Sequence, residues 1–110
     1  MAFCEKLREA QQRNQSLVCV GLDPDPGRFP GHLEGSADPV GSFLREIVAA
    51  TSDLACVYKP NFAFYGAMGS EGWDVLRKLI RTIPDGIPTL LDFKAGDCEV
   101  YQSMCVLILS

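Results

Sequence analysis

The sequence has few of the side chains from which metal sites and nucleic-acid-binding surfaces are built. His32 is the only histidine. The five cysteines form no C-x-x-C pair, so their spacing predicts no zinc site. A total of 10 basic residues against 14 acidic ones gives a net charge of −4 over 110 residues, which argues against binding to a nucleic-acid backbone. A small anionic substrate remains compatible with this charge, because a few lysines can bind it locally.

Long apolar runs and a recognisable targeting segment are also missing. No apolar run is long enough to span a bilayer, so we expect no membrane segment. Residues 1–16 are polar and mixed in charge, unlike a secretion signal. An odd number of cysteines without such a signal predicts a reducing compartment and hence a cytoplasmic protein. Cys19 and Cys56 lie within apolar runs, where we expect both thiols to be buried.

Apolar periodicity predicts helices that alternate with strands in one domain. Helices are predicted at residues 3–14, 40–52 and 70–83, with a short, irregular aromatic helix at 62–68. Apolar runs typical of buried strands lie at residues 17–22, 54–58 and 88–92, with a candidate fourth at 105–109. This alternation indicates an α/β fold whose strands pair in parallel through right-handed crossovers.

A charged residue stands at the end of each of the first three predicted strands: Asp23, Lys59 and Asp92. Parallel α/β folds bind their ligands at the carboxyl ends of the strands. Asp92 also begins a D-x-K-x-x-D pattern that continues with Lys94 and Asp97. Residues two apart in an extended segment share a face, and alternating Lys and Asp side chains keep one another ionised. The pattern therefore predicts a small-molecule site at this edge of the sheet.

Each of these features has a simpler interpretation when it is taken alone. The sequence D-P-D-P from Asp23 is typical of a turn. Lys59 could be a solvated strand end, and Asp92 with Lys94 could be a surface ion pair of little energetic consequence. The aromatic residues of 62–68 are more often core than part of a ligand site.

Taken together, four segments resemble the bacterial-type branch of the orotidine 5'-phosphate decarboxylase family. They are V-G-L-D-P-D at 20–25, Y-K-P-N-F-A-F-Y at 58–65, I-P-D-G-I-P at 83–88 and D-F-K-A-G-D at 92–97. The resemblance implies a TIM (β/α)₈ barrel, a fold of about 250 residues, of which only the first three or so βα units are expected here. Residues 1–97 would be the amino-terminal part of that barrel.

The resemblance also implies an activity and a role for each charged residue. The reaction is the conversion of orotidine 5'-phosphate to uridine 5'-phosphate and CO₂ in pyrimidine biosynthesis, without a metal or organic cofactor. Asp23 would bind the ribose hydroxyls, Lys59 would bridge the ribose and Asp92, and Asp92 would lie beside the substrate carboxylate. Lys94 would protonate the ring carbon, and Asp97 would reach into the partner's site in a homodimer.

Two departures from the family pattern keep alternatives open. Ala95 stands where a basic residue is usual, and residues 98–110 do not match the family after Asp97. We therefore expect a carboxy-lyase sequence that is inactive as this fragment. One alternative is a non-catalytic fragment or an interaction partner of an intact barrel. Another is a related magnesium-dependent sugar-phosphate decarboxylase, which the segments at 20–25 and 58–65 disfavour.

Overall fold

The computed structural model describes residues 2–93 and has helices that alternate with parallel strands. The elements are α1 (Phe3–Asn14), β1 (Cys19–Leu22), α2 (Pro39–Thr51), β2 (Val57–Pro60), α3 (Phe62–Gly66) and α4 (Ser70–Thr82). Two short 3₁₀ turns, Pro26–Arg28 and Gly31–Leu33, shape the loop between β1 and α2. The predicted strand at 105–109 and the tail at 98–110 lie outside the described residues.

The sheet is parallel, as the alternation of helices and strands predicts. β1 pairs with β2 in a register that places Cys19 opposite Val57 and Leu22 opposite Pro60. On the other side of β2, parallel bridges join Tyr58 to Thr89 and Asn61 to Asp92. β2 therefore lies between β1 and the segment at 88–92. That segment pairs with β2 through two isolated bridges and does not form one continuous strand.

Helices α2 and α4 cover one face of this sheet and form the main core with it. Side chains four or three positions apart on each helix point at the sheet, as amphipathic helices require. The buried residues of this contact are Leu22, Tyr58 and Leu91 from the sheet, Leu44 and Val48 from α2, and Leu76 and Leu79 from α4. Full burial of one such aliphatic side chain contributes about 1.5–3 kcal/mol. The helix α2 begins at a cap in which the Asp38 carboxylate accepts a hydrogen bond from the Gly41 amide at 3.1 Å.

Helix α1 packs at the amino-terminal end of β2. Ala10 contacts Cys56 and Val57 in a second small core. The Asn14 amide group donates to the carbonyls of Ser52 and Ala55, at 3.1 and 2.8 Å. These bonds satisfy carbonyls that follow α2, so α1 ties the end of that helix to the start of β2.

The predicted first strand is shorter and more exposed than its apolar run indicates. β1 begins at Cys19, and Leu17 and Val18 keep 84% and 52% of their surface accessible. Cys19 is exposed and Cys56 is buried, so the prediction that both thiols are buried was wrong for Cys19. Alternation places Cys19 on the face opposite Leu22, and α2 and α4 cover only the face that carries Leu22.

The second strand starts three residues later than predicted. The amides of Leu54 and Ala55 both donate to the Thr51 carbonyl, at 2.8 and 2.9 Å. These residues therefore close α2 before β2 can begin at Val57. An apolar run that serves partly as a helix end cannot be distinguished from a strand by hydrophobicity alone.

Helices α3 and α4 approach each other closely at Gly72, which is buried. A Cβ atom at this position would overlap the backbone carbonyl of Tyr65 on α3. The absence of a side chain at Gly72 therefore sets the distance between the two helices.

We expect the substitution Gly72→Ala to destabilise the protein. Alanine favours a helix by about 1 kcal/mol over glycine, but forcing the helices apart costs about 1–3 kcal/mol or more. Gly31→Ala is the control, because a Cβ there meets no atom within 4 Å. Urea unfolding should give a lower midpoint for Gly72→Ala and little change for Gly31→Ala. An unchanged midpoint for Gly72→Ala would contradict the close contact.

Candidate functional site

The two faces of the sheet differ in what they carry. Leu22, Tyr58 and Leu91 point into the core beneath the helices. Side chains alternate along an extended chain, so their neighbours in sequence point to the opposite face. This second face, called the open face below, carries four residues of the sheet near its carboxyl edge: Gly21, Lys59, Leu90 and Asp92. Leu90 is 44% exposed there, which agrees with the assignment.

Lys59 and Asp92 are diagonal neighbours on adjacent segments of the open face. Asp92 pairs with Asn61, and Lys59 lies two residues before Asn61 on the same face of β2. Both side chains are half-buried. The Asp92 amide donates to the Pro60 carbonyl at 2.9 Å, and the Asp92 carbonyl accepts from the Phe62 amide at 2.9 Å. Two backbone hydrogen bonds thus fix the main chain from which the Asp92 carboxylate projects.

Asp23 reaches the same face from the end of β1. Gly21 is opposite Lys59 in the strand register. A Cβ atom on Gly21 would lie 3.6 Å from Oδ2 of Asp23, so the carboxylate turns back over the glycine. The exposed carboxylate of Asp23 is therefore next to the strand position that carries Lys59. Asp23, Lys59 and Asp92 come together at the carboxyl ends of three neighbouring parallel segments.

Aromatic rings hold the chain where it leaves Asp92. Phe93 stacks on Phe62 of α3 with ring centroids 4.1 Å apart, and Phe62 also contacts Trp73 of α4 at 5.0 Å. Contacts of this kind add about 0.5–1.5 kcal/mol beyond the burial of apolar area. Lys94 and Asp97 come next in the sequence and lie outside the described residues. Their position beside Asp23, Lys59 and Asp92 therefore stays a prediction.

Tyr65 connects α3 to the strand that leads to Asp23. Its phenol is fully buried, and its hydroxyl donates to the Leu22 carbonyl at 2.8 Å. Burial, and to a smaller extent the negative charge of Asp23, raise the pKa of Tyr65 far above its usual range. The sequence pattern assigns this aromatic segment to the core, which holds for the ring but misses the contact made by the hydroxyl.

Within residues 2–93, no three His, Cys, Asp or Glu side chains are grouped as ligands of a metal ion would be. No helix in that range has the length and apolar composition needed to cross a membrane.

Comparisons with known proteins agree on one family. The chain is 52% identical over 95 residues to an orotidine 5'-phosphate decarboxylase of Herpetosiphon aurantiacus, a match that covers 86% of this chain and 36% of the relative. A Roseiflexus enzyme of the same name is 48% identical over 97 residues, covering 88% and 35%. The solved OMP decarboxylase of Leishmania donovani superposes with a TM-score of 0.73 at 34% identity, covering 94% of this chain and 38% of that one. No protein-family model matches the chain.

The described residues form part of an α/β fold with charged side chains at the carboxyl ends of parallel strands. In sequence and in backbone, the chain is similar to the amino-terminal part of orotidine 5'-phosphate decarboxylases. The resemblance carried by the four sequence segments is thereby confirmed. The chain spans about a third of the length of the curated relatives that it matches.

The buried tyrosines predict how stability responds to alkaline pH. Burial raises the pKa of both Tyr58 and Tyr65. The unfolded chain therefore loses these protons first, near the ordinary tyrosine pKa of about 10. The free energy of unfolding should be unaffected by the tyrosines below that pH. Above it, the free energy should fall by up to about 1.4 kcal/mol per pH unit for each tyrosine.

Urea unfolding between pH 8 and 11 measures this effect, and Tyr65→Phe should make the alkaline decline shallower. Ile83→Val is the matched control, because it trims a buried side chain that does not titrate. The control should lower stability equally at every pH. Parallel curves for Tyr65→Phe and the unmodified chain would show that burial does not raise the pKa of Tyr65.

Proposed function

We propose that this chain is the amino-terminal part of an orotidine 5'-phosphate decarboxylase, which converts orotidine 5'-phosphate to uridine 5'-phosphate and CO₂. One observation carries the proposal. Asp23, Lys59 and Asp92 meet at the carboxyl ends of parallel segments, in a chain 52% identical to an enzyme of that name.

The proposal extends to the fold of the complete protein. Residues 1–97 would supply the first three or so βα units of a TIM (β/α)₈ barrel, and residues 98–110 would be a tail outside the family pattern. The parallel order of β1, β2 and the 88–92 segment supports this, and so does the packing of α2 and α4 on one face. In a barrel, the open face becomes the interior, and catalytic residues stand at the carboxyl ends of the strands.

The chemistry proposed for this site is electrostatic. The bond between the pyrimidine ring and the carboxylate breaks, CO₂ leaves, and the electron pair remains on the ring carbon. The ammonium group of Lys94 stabilises this carbanion and then gives it a proton. Asp92 lies beside the departing carboxylate, on a main chain held by two backbone hydrogen bonds.

The remaining charged residues bind and orient the nucleotide. Asp23 accepts hydrogen bonds from the ribose hydroxyls, and Lys59 links the ribose to Asp92. The diagonal placement of Lys59 and Asp92 on one face supports this link. Asp97 reaches into the site of a second copy, so the proposal includes a homodimer. It also includes a cytoplasmic location.

The 110 residues purified by themselves should not decarboxylate orotidine 5'-phosphate at a useful rate. Binding energy from the phosphate normally positions the reacting ring, and by resemblance to the family the phosphate-binding loops would follow this part of the chain. Loss of substrate absorbance over time measures the rate, with the complete Herpetosiphon enzyme as the positive control. Turnover comparable to that control would contradict the expectation.

A chimera would test the assigned proton donor. Residues 1–97 would be joined to the remainder of the Herpetosiphon relative, and Lys94→Ala should lower turnover by about 10²–10⁴-fold. Affinity for uridine 5'-phosphate should change little, because the ribose and phosphate contacts lie elsewhere. Lys59→Ala should weaken both turnover and affinity.

Lys78→Ala is the matched control for these lysine variants. Lys78 lies on α4, on the opposite side of the sheet from Lys59, and is exposed. Neither turnover nor affinity should change. Near-normal turnover in Lys94→Ala, or loss of turnover in Lys59→Ala with unchanged binding, would require the two roles to be exchanged or abandoned.

A further inference from the structure

We propose that Tyr65 is a positioning residue for Asp23: its hydroxyl fixes the peptide unit before Asp23 and so sets where the carboxylate meets the ribose. That the ligand group is a ribose rests on the proposed function. The positioning of Asp23 by Tyr65 does not.

The contact spans 43 residues of sequence and is completely enclosed. Tyr65 has no accessible surface, Leu22 has 1%, and the hydroxyl lies 2.8 Å from the Leu22 carbonyl oxygen. A buried carbonyl needs a donor, and a buried hydroxyl needs an acceptor. Each group supplies what the other requires, so the end of β1 is tied to α3.

Planarity of the peptide carries this constraint to Asp23. The Leu22 carbonyl and the Asp23 amide nitrogen belong to one rigid planar unit. When Tyr65 holds the carbonyl, it also fixes the plane from which the Asp23 side chain projects. The carboxylate then turns over Gly21, where Oδ2 lies 3.6 Å from the position of a Cβ atom. That location faces the strand position of Lys59.

The helix α3, which carries Tyr65, is itself held at two points. At the start of α3, Oδ1 of Asn61 accepts from the Ala63 amide at 3.1 Å and caps the helix. On the other side, Gly72 of α4 packs directly against the Tyr65 backbone. The position of α3 is thus set by its neighbours and does not follow Asp23.

A phenylalanine would fill the same space in the core, so packing alone does not require a tyrosine. Burying the hydroxyl removes its hydrogen bonds to water, and its hydrogen bond to the Leu22 carbonyl offsets that free-energy cost. The negative charge of Asp23 adds to the rise in the pKa of Tyr65, which agrees with their proximity and keeps the phenol a donor at neutral pH.

The test uses Tyr65→Phe in the chimera of residues 1–97 with the Herpetosiphon remainder. Two ligands are compared: uridine 5'-phosphate and its 2',3'-dideoxy analogue, which lacks both hydroxyls proposed to bind Asp23. Tyr65→Phe should weaken uridine 5'-phosphate about five- to tenfold, roughly the worth of one hydrogen bond, and leave the analogue unchanged. Thr51→Val is the control. Its hydroxyl contacts Tyr58 at 2.7 Å, away from Asp23, and its loss should preserve the ratio of the two affinities.

An equal loss of affinity for both ligands in Tyr65→Phe would overturn the inference, because a structural role alone produces that result. If the unmodified chimera does not distinguish the two ligands, the proposed role of Asp23 fails. In that case, ¹⁵N relaxation of the 110-residue chain tests whether Tyr65 positions Asp23. Tyr65→Phe should lower the backbone order parameter of Asp23, and Thr51→Val should not. An unchanged order parameter in Tyr65→Phe would refute positioning whatever the function.

Discussion

Parallel pairing of β1, β2 and the 88–92 segment is the constraint on which the other features depend. Parallel strands must all end at the same edge, and the chain must return along one face between them. The return places α2 and α4 on that face, where their apolar stripes meet Leu22, Tyr58 and Leu91. The shared edge gathers residues that are far apart in sequence. Asp23, Lys59 and Asp92 span 70 positions, yet they stand on adjacent segments.

The pleat of the strands then separates apolar from charged side chains. No charged side chain is buried among residues 2–93, and the charged groups of the site stand on the face that α2 and α4 leave open. Bringing like and unlike charges together is inexpensive at this exposure, because water still solvates them. The core beneath the helices is apolar, and the open face carries the charged residues of the candidate site.

The helices were predictable from local pattern, and the contacts between elements were not. Phe3–Asn14 forms as predicted because its amphipathic spacing is unbroken. The start of β2 was misplaced because Leu54 and Ala55 complete the end of α2. Leu17 and Val18 precede β1 and stay exposed, which depends on packing between elements and is not encoded in local hydrophobicity. The charged strand ends were visible as a pattern, since parallel topology alone brings them to one edge.

The hydrogen bond from Tyr65 to Leu22 could not be predicted from the sequence, because no periodicity relates two residues 43 positions apart. Under the proposed function, this hydrogen bond also meets a requirement of the charged residues on the open face. Electrostatic catalysis requires charges that are fixed in direction and removed from water. The described residues meet the first requirement through backbone hydrogen bonds at Asp92 and the buried phenol behind Asp23. They leave the second unmet, since Asp23 is exposed and Lys59 and Asp92 are only half-buried. Under the proposed barrel, the remaining strands would close over this face and lower its dielectric constant. The part of the chain described here would then determine where the charges point, and closure would determine how strongly they act.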